Sequence, residues 1–153
     1  MQINLFNTAQ HVLTSDDYYT PKHLFDTLAI TFDLDVASPP HPTHVPCTKF
    51  YTMADDGLTS QWYGNVWMNP PFSKPQPWVR RFVEHHNGIA LLPASKSQWF
   101  YDLWQSDASI TNINYNFKFD DPKGGNGSIW MPCCLVAYGE HNITAISRIG
   151  KVR

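Results

Sequence analysis

The apolar run Val66-Trp67-Met68 is cut off by Asn69-Pro70-Pro71-Phe72, and this junction constrains the chain more than any other. Proline lacks a backbone N–H, fixes φ, and drives the residue before it into an extended conformation. Two consecutive prolines therefore end a strand and force a stiff corner that offers carbonyl oxygens and no competing donors. The Asn69 side-chain oxygen and the Pro70 carbonyl can each accept one hydrogen of an exocyclic NH2 group, and Phe72 can lie flat against the ring that carries it. Read purely as structure, the same residues make a proline turn after a buried strand.

An aromatic amine is a poor nucleophile because its lone pair is delocalised into the ring. Two acceptors on its hydrogens favour the pyramidal geometry in which that lone pair can attack a methyl sulfonium, through preorganised electrostatics and proximity. Stacking on Phe72 contributes about 1–3 kcal/mol per base. That offsets the few kcal/mol needed to flip a base out of a duplex. The corner therefore points to methylation of an amine on a nucleobase or an amide.

A chain of 153 residues with 42% hydrophobic content is expected to form one domain with a filled core. No apolar run approaches the ~18 residues of a membrane span. Residues 1–13 lack the basic start and apolar stretch of a signal peptide, so a cytoplasmic protein is expected. The net charge of −2 means that nucleic-acid contact must come from a local basic strip. Lys74, Arg80 and Arg81, directly after the corner, are the best candidates. Three cysteines in such a chain read as reduced thiols. His41, His44 and Cys47 are regularly spaced but have no fourth ligand at motif spacing, and no metal site is expected.

Along the chain, residues 1–17 read as a flexible leader and 18–153 as the single domain. Thr20 is placed to cap a helix with Pro21 at its first position, followed by Leu24, Phe25, Leu28, Ala29 and Phe32 at helical spacing. Leu34 to Ala37 reads as a short buried strand, 39–46 as a proline-rich loop, and Lys49 to Thr52 as a brief strand. Asp55 to Leu58 reads as a turn leading to a short helical piece that ends at Trp62. After the corner, Pro77 opens a helix with Trp78, Val79, Phe82 and Val83 inward and Arg80, Arg81 and Glu84 outward. Gly88 closes it before the strand Ile89–Leu92. Ser97 is placed to cap a helix with Trp99, Phe100, Leu103 and Trp104. Two further strands, Ile110–Phe119 and Ser128–Tyr138, flank a loop at 120–127. The segment 143–153 reads as a strand or a basic tail. Strands separated by helices imply βαβ units and a mainly parallel sheet, with ligands outside the carboxyl ends of the strands. Asp35, Asp56 and Asn69 all fall at or just beyond strand ends.

In this order, Tyr19-Thr20-Pro21, Leu34-Asp35-Val36-Ala37, Phe50-Tyr51-Thr52, Asp55-Asp56-Gly57-Leu58 and Asn69-Pro70-Pro71-Phe72 resemble the phage-type (Dam-like) N6-adenine DNA methyltransferase family. The resemblance extends from about Asp17 to Tyr138. It implies a Rossmann-like methyltransferase fold of reduced size, a mostly parallel sheet with helices on both faces. It further implies S-adenosylmethionine as methyl donor and adenine N6 in DNA as acceptor. Asn69, Pro70, Pro71 and Phe72 would form the catalytic corner. Tyr19, Thr20 and Pro21 would pack against the cofactor, with a helix N-terminus for its carboxylate. Asp35 would face its methionine ammonium or nearby water, with Ala37 also in the cofactor site. Asp56 would accept from the amine of its adenine, with Leu58 packed on that ring.

The chain departs from the wider methyltransferase pattern in two places. Ala37-Ser38-Pro39-Pro40-His41 holds no glycine where many methyltransferases place a Gly-x-Gly loop, and no acidic residue ends the second strand to bind the ribose hydroxyls. No segment is left for a separate target-recognition domain, so relaxed or very short sequence preference is expected, with recognition shared in a homodimer or with a partner subunit. The same corner serves RNA adenine or a protein glutamine amide. A non-catalytic module with this fold would bind DNA or a host protein without turnover. Lys123 to Gly127 reads as a flexible turn rather than a phosphate loop.

Overall fold

The computed structural model describes residues 19–113, 119–120, 126–127 and 132–153; the expected leader and the 123–125 part of the glycine-rich turn lie outside them. Six strands form one sheet in the order β2-β1-β3-β4-β8-β5. They are β1 (Phe32–Asp35), β2 (Cys47–Phe50), β3 (Val66–Met68), β4 (Gly88–Pro93), β5 (Ser109–Asn112) and β8 (Cys133–Tyr138). The short strands β6 (Phe119–Asp120) and β7 (Asn126–Gly127) pair antiparallel with each other, and all but Phe119 of them fall in the 120–127 segment expected to be a loop. Four helices, α1 (Lys22–Leu28), α2 (Gln76–His85), α3 (Gln98–Gln105) and α4 (Glu140–Ile146), complete the described chain.

The central strands are apolar at successive positions because both faces of the sheet are covered. Alternation then sorts the side chains. Val66, Met68, Ala90, Leu92, Cys134 and Val136 share one core with Val79 and Phe82 of α2 and Leu103 of α3. Trp67, Ile89, Leu91, Leu135 and Ala137 share the other with Leu24, Phe25 and Leu28 of α1 and Ala145 and Ile146 of α4. Trp67 fills the space beneath α1, with Phe25 edge-on at 4.8 Å between ring centroids.

The sheet is mixed rather than mainly parallel in its pairings. β2, β1, β3 and β4 run parallel, and β8 runs antiparallel to both β4 and β5. Parallel neighbours need a crossover, usually a helix. Among the described residues no helix lies between β5 and β8. The segment 143–153, expected to be a strand or a basic tail, begins inside α4. Its last residue then exchanges two backbone hydrogen bonds with Ile110, each 2.9 Å.

Several boundaries also move. Pro21, extended at φ −74 and ψ 153, occupies the N-cap of α1, and Thr20 does not cap it. Residues 51–62 are turns and extended chain, with no helical piece before Trp62. His86, left-handed at φ 62, closes α2 in place of Gly88. Gly88 instead opens β4, where a Cβ would stand 2.4 Å from the Val66 carbonyl oxygen. No helix among the described residues is long and apolar enough to cross a membrane.

Candidate functional site

The order β2-β1-β3 reverses at β1: the chain leaves β1 for β2 on one side and later returns as β3 on the other. Such a reversal opens a crevice beyond the carboxyl ends of the strands, where α/β sheets bind ligands. Asp35 ends β1 and Asn69 directly follows β3, so both lie at the carboxyl end of the sheet, beside the switch point. Their strands are locked in register, with Asp35 opposite Trp67.

At the corner Pro70 is buried while Asn69, Pro71 and Phe72 are half-buried. Phe72 packs against the core on the α1 side. Asn69 Nδ2 donates to Thr20 Oγ1 at 3.1 Å, and Thr20 is itself buried beside Pro21. With the amino half of the amide engaged, Oδ1 is left as the free acceptor. Among the described residues no donor reaches Asn69 Oδ1 or the Pro70 carbonyl. Sequence spacing placed Thr20 as a helix cap and missed this contact across 49 residues.

Asp35 is 2% exposed. Its Oδ1 accepts the Ala37 N–H at 3.2 Å, and no cation among the described residues meets it. Burial pushes its carboxyl up to about 7, with the Ala37 N–H pulling the other way. The neighbouring Cys47 thiol is pushed up to about 11, by its own burial and then by the Asp35 charge. A buried acid that meets no counter-ion among the described residues fits an ammonium group, which is the part of an amino-acid-bearing cofactor expected here.

Residues 55–60 form a dense turn next to β1. Asp55 Oδ2 accepts from the Thr52 N–H at 2.9 Å and from Thr52 Oγ1 at 3.2 Å. Asp56 is left-handed at φ 54 and exposed, and Leu58 is half-buried. Gly57 is wedged against the end of β1 and against α2: a Cβ there would lie 1.9 Å from the Val36 carbonyl oxygen and 3.1 Å from the Trp78 ring.

The basic strip divides. Lys74 and Arg80 are exposed on the loop and helix after the corner. Arg81 is half-buried instead, and its guanidinium donates to the carbonyls of Gly57 (3.2 Å), Leu58 and Ser60. It lies 4.8 Å above the Trp62 ring. The available signal was its position three residues after Trp78, which places both on one flank of α2. Tyr19, the remaining expected cofactor contact, is half-buried just ahead of Thr20.

The profile of the family described as "DNA N-6-adenine-methyltransferase (Dam)" matches residues 7–130. The chain is 38% identical over 96 residues to the DNA N-6-adenine-methyltransferase of Escherichia phage T1, covering 58% of this chain and 40% of that one. It is 36% identical over 98 residues to the DNA N-6-adenine-methyltransferase of Haemophilus phage HP1 (strain HP1c1), covering 58% of this chain and 56% of that one. The matches thus span about half the length of these relatives.

Proposed function

Because this chain belongs to the DNA N-6-adenine-methyltransferase (Dam) family, we propose that it transfers a methyl group from S-adenosylmethionine to the exocyclic N6 of adenine in DNA. The observation that carries the reading is the Asn69 amide, anchored through Nδ2 at the end of β3, with the buried acid Asp35 at the same end of the neighbouring strand β1, on the switch point of the sheet. We read the sheet as a reduced Rossmann-like methyltransferase sheet. Helices on both faces, the β1/β3 switch point and a single reversed strand near one edge support that reading.

S-adenosylmethionine, when bound, supplies an electrophilic methyl carbon on a sulfonium. The chain's own residues do the remaining work. Asp35 and Ala37 hold the ammonium end, with Tyr19, Thr20 and Pro21 alongside, while Asp56 and Leu58 hold the adenine end. Asn69 Oδ1 and the Pro70 carbonyl accept the two hydrogens of the target amine. This withdraws its lone pair from the ring and aims the nitrogen at the donor. Pro71 keeps the corner rigid, and Phe72 supports the flipped base. Lys74 and Arg80 meet phosphates. A covalent enzyme intermediate has no nucleophile to form it at Cys133 or Cys134, which are buried in β8 with thiols pushed up to about 12.

The test is mass spectrometry of nucleosides from DNA incubated with protein and S-adenosylmethionine, with RNA and protein acceptors in parallel. N6-methyladenine in the DNA, absent with Asn69→Ala at unchanged thermal stability, is the expected result. Methyl groups on RNA or protein alone, or on nothing, would overturn the reading.

A further inference from the structure

We propose that Arg81 is a positioning residue for the cofactor's base, holding the 57–60 turn so that the Asp56 carboxylate stands ready for the adenine amine. This rests on the reading above that Asp56 and Leu58 receive that ring.

The turn is over-determined everywhere except at the carboxylate itself. The Asp56 carbonyl accepts the N–H groups of Thr59 (3.1 Å) and Ser60 (3.0 Å). Ser60 Oγ donates to the Asp55 carbonyl at 2.7 Å. The Gly57 carbonyl takes two donors, Trp62 Nε1 at 2.7 Å and Arg81 Nη1 at 3.2 Å. Arg81 then continues to Leu58 and Ser60. The Asp56 carboxylate is exposed and, among the described residues, meets no donor and no cation. A non-glycine residue at φ 54 persists where its surroundings fix it, and such positions gather at ligand clamps.

A guanidinium suits this brace better than an ammonium. Its planar fork reaches three carbonyls from two nitrogens while its central carbon lies 4.8 Å from the Trp62 ring centroid, a spread that a compact ammonium does not match. Arg81 belongs to α2, which begins four residues after Phe72, so the helix that follows the amine corner also carries the brace for the cofactor turn.

Calorimetry with S-adenosylhomocysteine, and with its analogue bearing a carbonyl oxygen in place of the 6-amino group, tests this. The wild-type protein should prefer the amine by about tenfold or more, since one acceptor gains or loses its hydrogen bond. Asp56→Asn should erase the preference, because an amide can present either a donor or an acceptor. Arg81→Lys should also lose most of it, by weakening the amine ligand about tenfold and the carbonyl ligand less than twofold. An Arg81→Lys protein that keeps the preference, or loses both ligands equally, overturns the inference even where Asp56→Asn upholds the cofactor reading. No preference in the wild-type protein overturns both. Should Arg81→Lys fail to fold, Trp62→Phe removes the second donor to Gly57 and keeps the ring. A reduced preference there supports the brace and an unchanged one sinks it.

Discussion

Asn69 and Thr20 lie 49 residues apart in sequence, yet one hydrogen bond of 3.1 Å between Nδ2 and Oγ1 sets which end of the Asn69 amide faces the crevice. The bond joins the corner after β3 to the extended chain ahead of α1. It divides the amide into an anchored amino half and an acceptor half.

Removing that anchor should slow chemistry more than it loosens binding. Thr20→Val preserves shape and deletes the hydroxyl, a loss of about 0.5–1.5 kcal/mol for an ordinary hydrogen bond. That corresponds to roughly a two- to tenfold fall in kcat with KM for DNA nearly unchanged. Thr20→Ser should restore most of it, whereas Asn69→Ala, which removes the acceptor itself, should cost at least ~10²-fold. A Thr20→Val protein with wild-type kcat would show that the amide needs no such anchor.

Two glycines separate site damage from fold damage. A Cβ at Gly57 meets the Val36 carbonyl at 1.9 Å, and one at Gly88 meets the Val66 carbonyl at 2.4 Å, in both cases backbone that cannot step aside. Gly57→Ala and Gly88→Ala should each destabilise by about 1–3 kcal/mol, as overpacking does. That lowers Tm by several degrees, at roughly 2–4 °C per kcal/mol for a chain of this size. Gly57 neighbours Asp56, so its variant should also weaken S-adenosylmethionine. Gly88 sits at the opposite end of the sheet, and its folded fraction should bind the cofactor normally. Equal binding by both variants would count against the 55–58 turn as part of the site.

The strand that ends at Asn69 was legible because prolines and buried apolar runs act locally, whereas the strand expected over 34–37 runs over Phe32–Asp35, with Phe32 drawn from the expected helix. The apolar pattern also marked α2 and α3, since Val79, Phe82 and Leu103 recur at helical spacing. Contacts between distant segments left no such trace. The spacing of Arg81 from Trp78 puts it on the inner flank of α2, but nothing local says that it reaches three carbonyls from residues 57–60. The helix α4 was missed for a different reason: its inward face includes Asn142, buried and donating to the Tyr138 carbonyl at 2.8 Å, so the apolar stripe is broken. The direction of β8 depended on how the chain crosses between strands, which hydrophobic patterning does not encode.

Asp35 makes a signed prediction about pH. Its carboxyl is raised from 3.8 to about 7 in the folded chain by burial, so the folded state holds its proton more tightly than the unfolded state. The stability this contributes is full below the unfolded value and is lost as pH rises through about 7. Binding a cation there requires the ionised form, so S-adenosylmethionine affinity should rise over the same interval in which stability falls. Asp35→Asn should flatten both profiles, with greater stability at pH 8 than the wild-type protein and weak cofactor binding throughout. Calorimetry and thermal melts from pH 5 to 8 read both, and a wild-type affinity independent of pH would remove Asp35 from the ammonium site.

The divided basic strip predicts divided salt dependence. Each phosphate contact steepens the fall of log K with log salt by about 0.9 on duplex DNA. Lys74 and Arg80 are exposed beside the corner, so Lys74→Ala and Arg80→Ala should each weaken binding across sequences and reduce the slope by about 1. Arg81 donates to three backbone carbonyls and lies 4.8 Å from the Trp62 ring centroid, so its guanidinium is already engaged away from any phosphate. Arg81→Lys should therefore leave the slope unchanged while altering cofactor selectivity. Fluorescence-anisotropy titrations at several salt concentrations distinguish the three variants. A slope that falls with Arg81→Lys as much as with Arg80→Ala would return Arg81 to the DNA-facing surface.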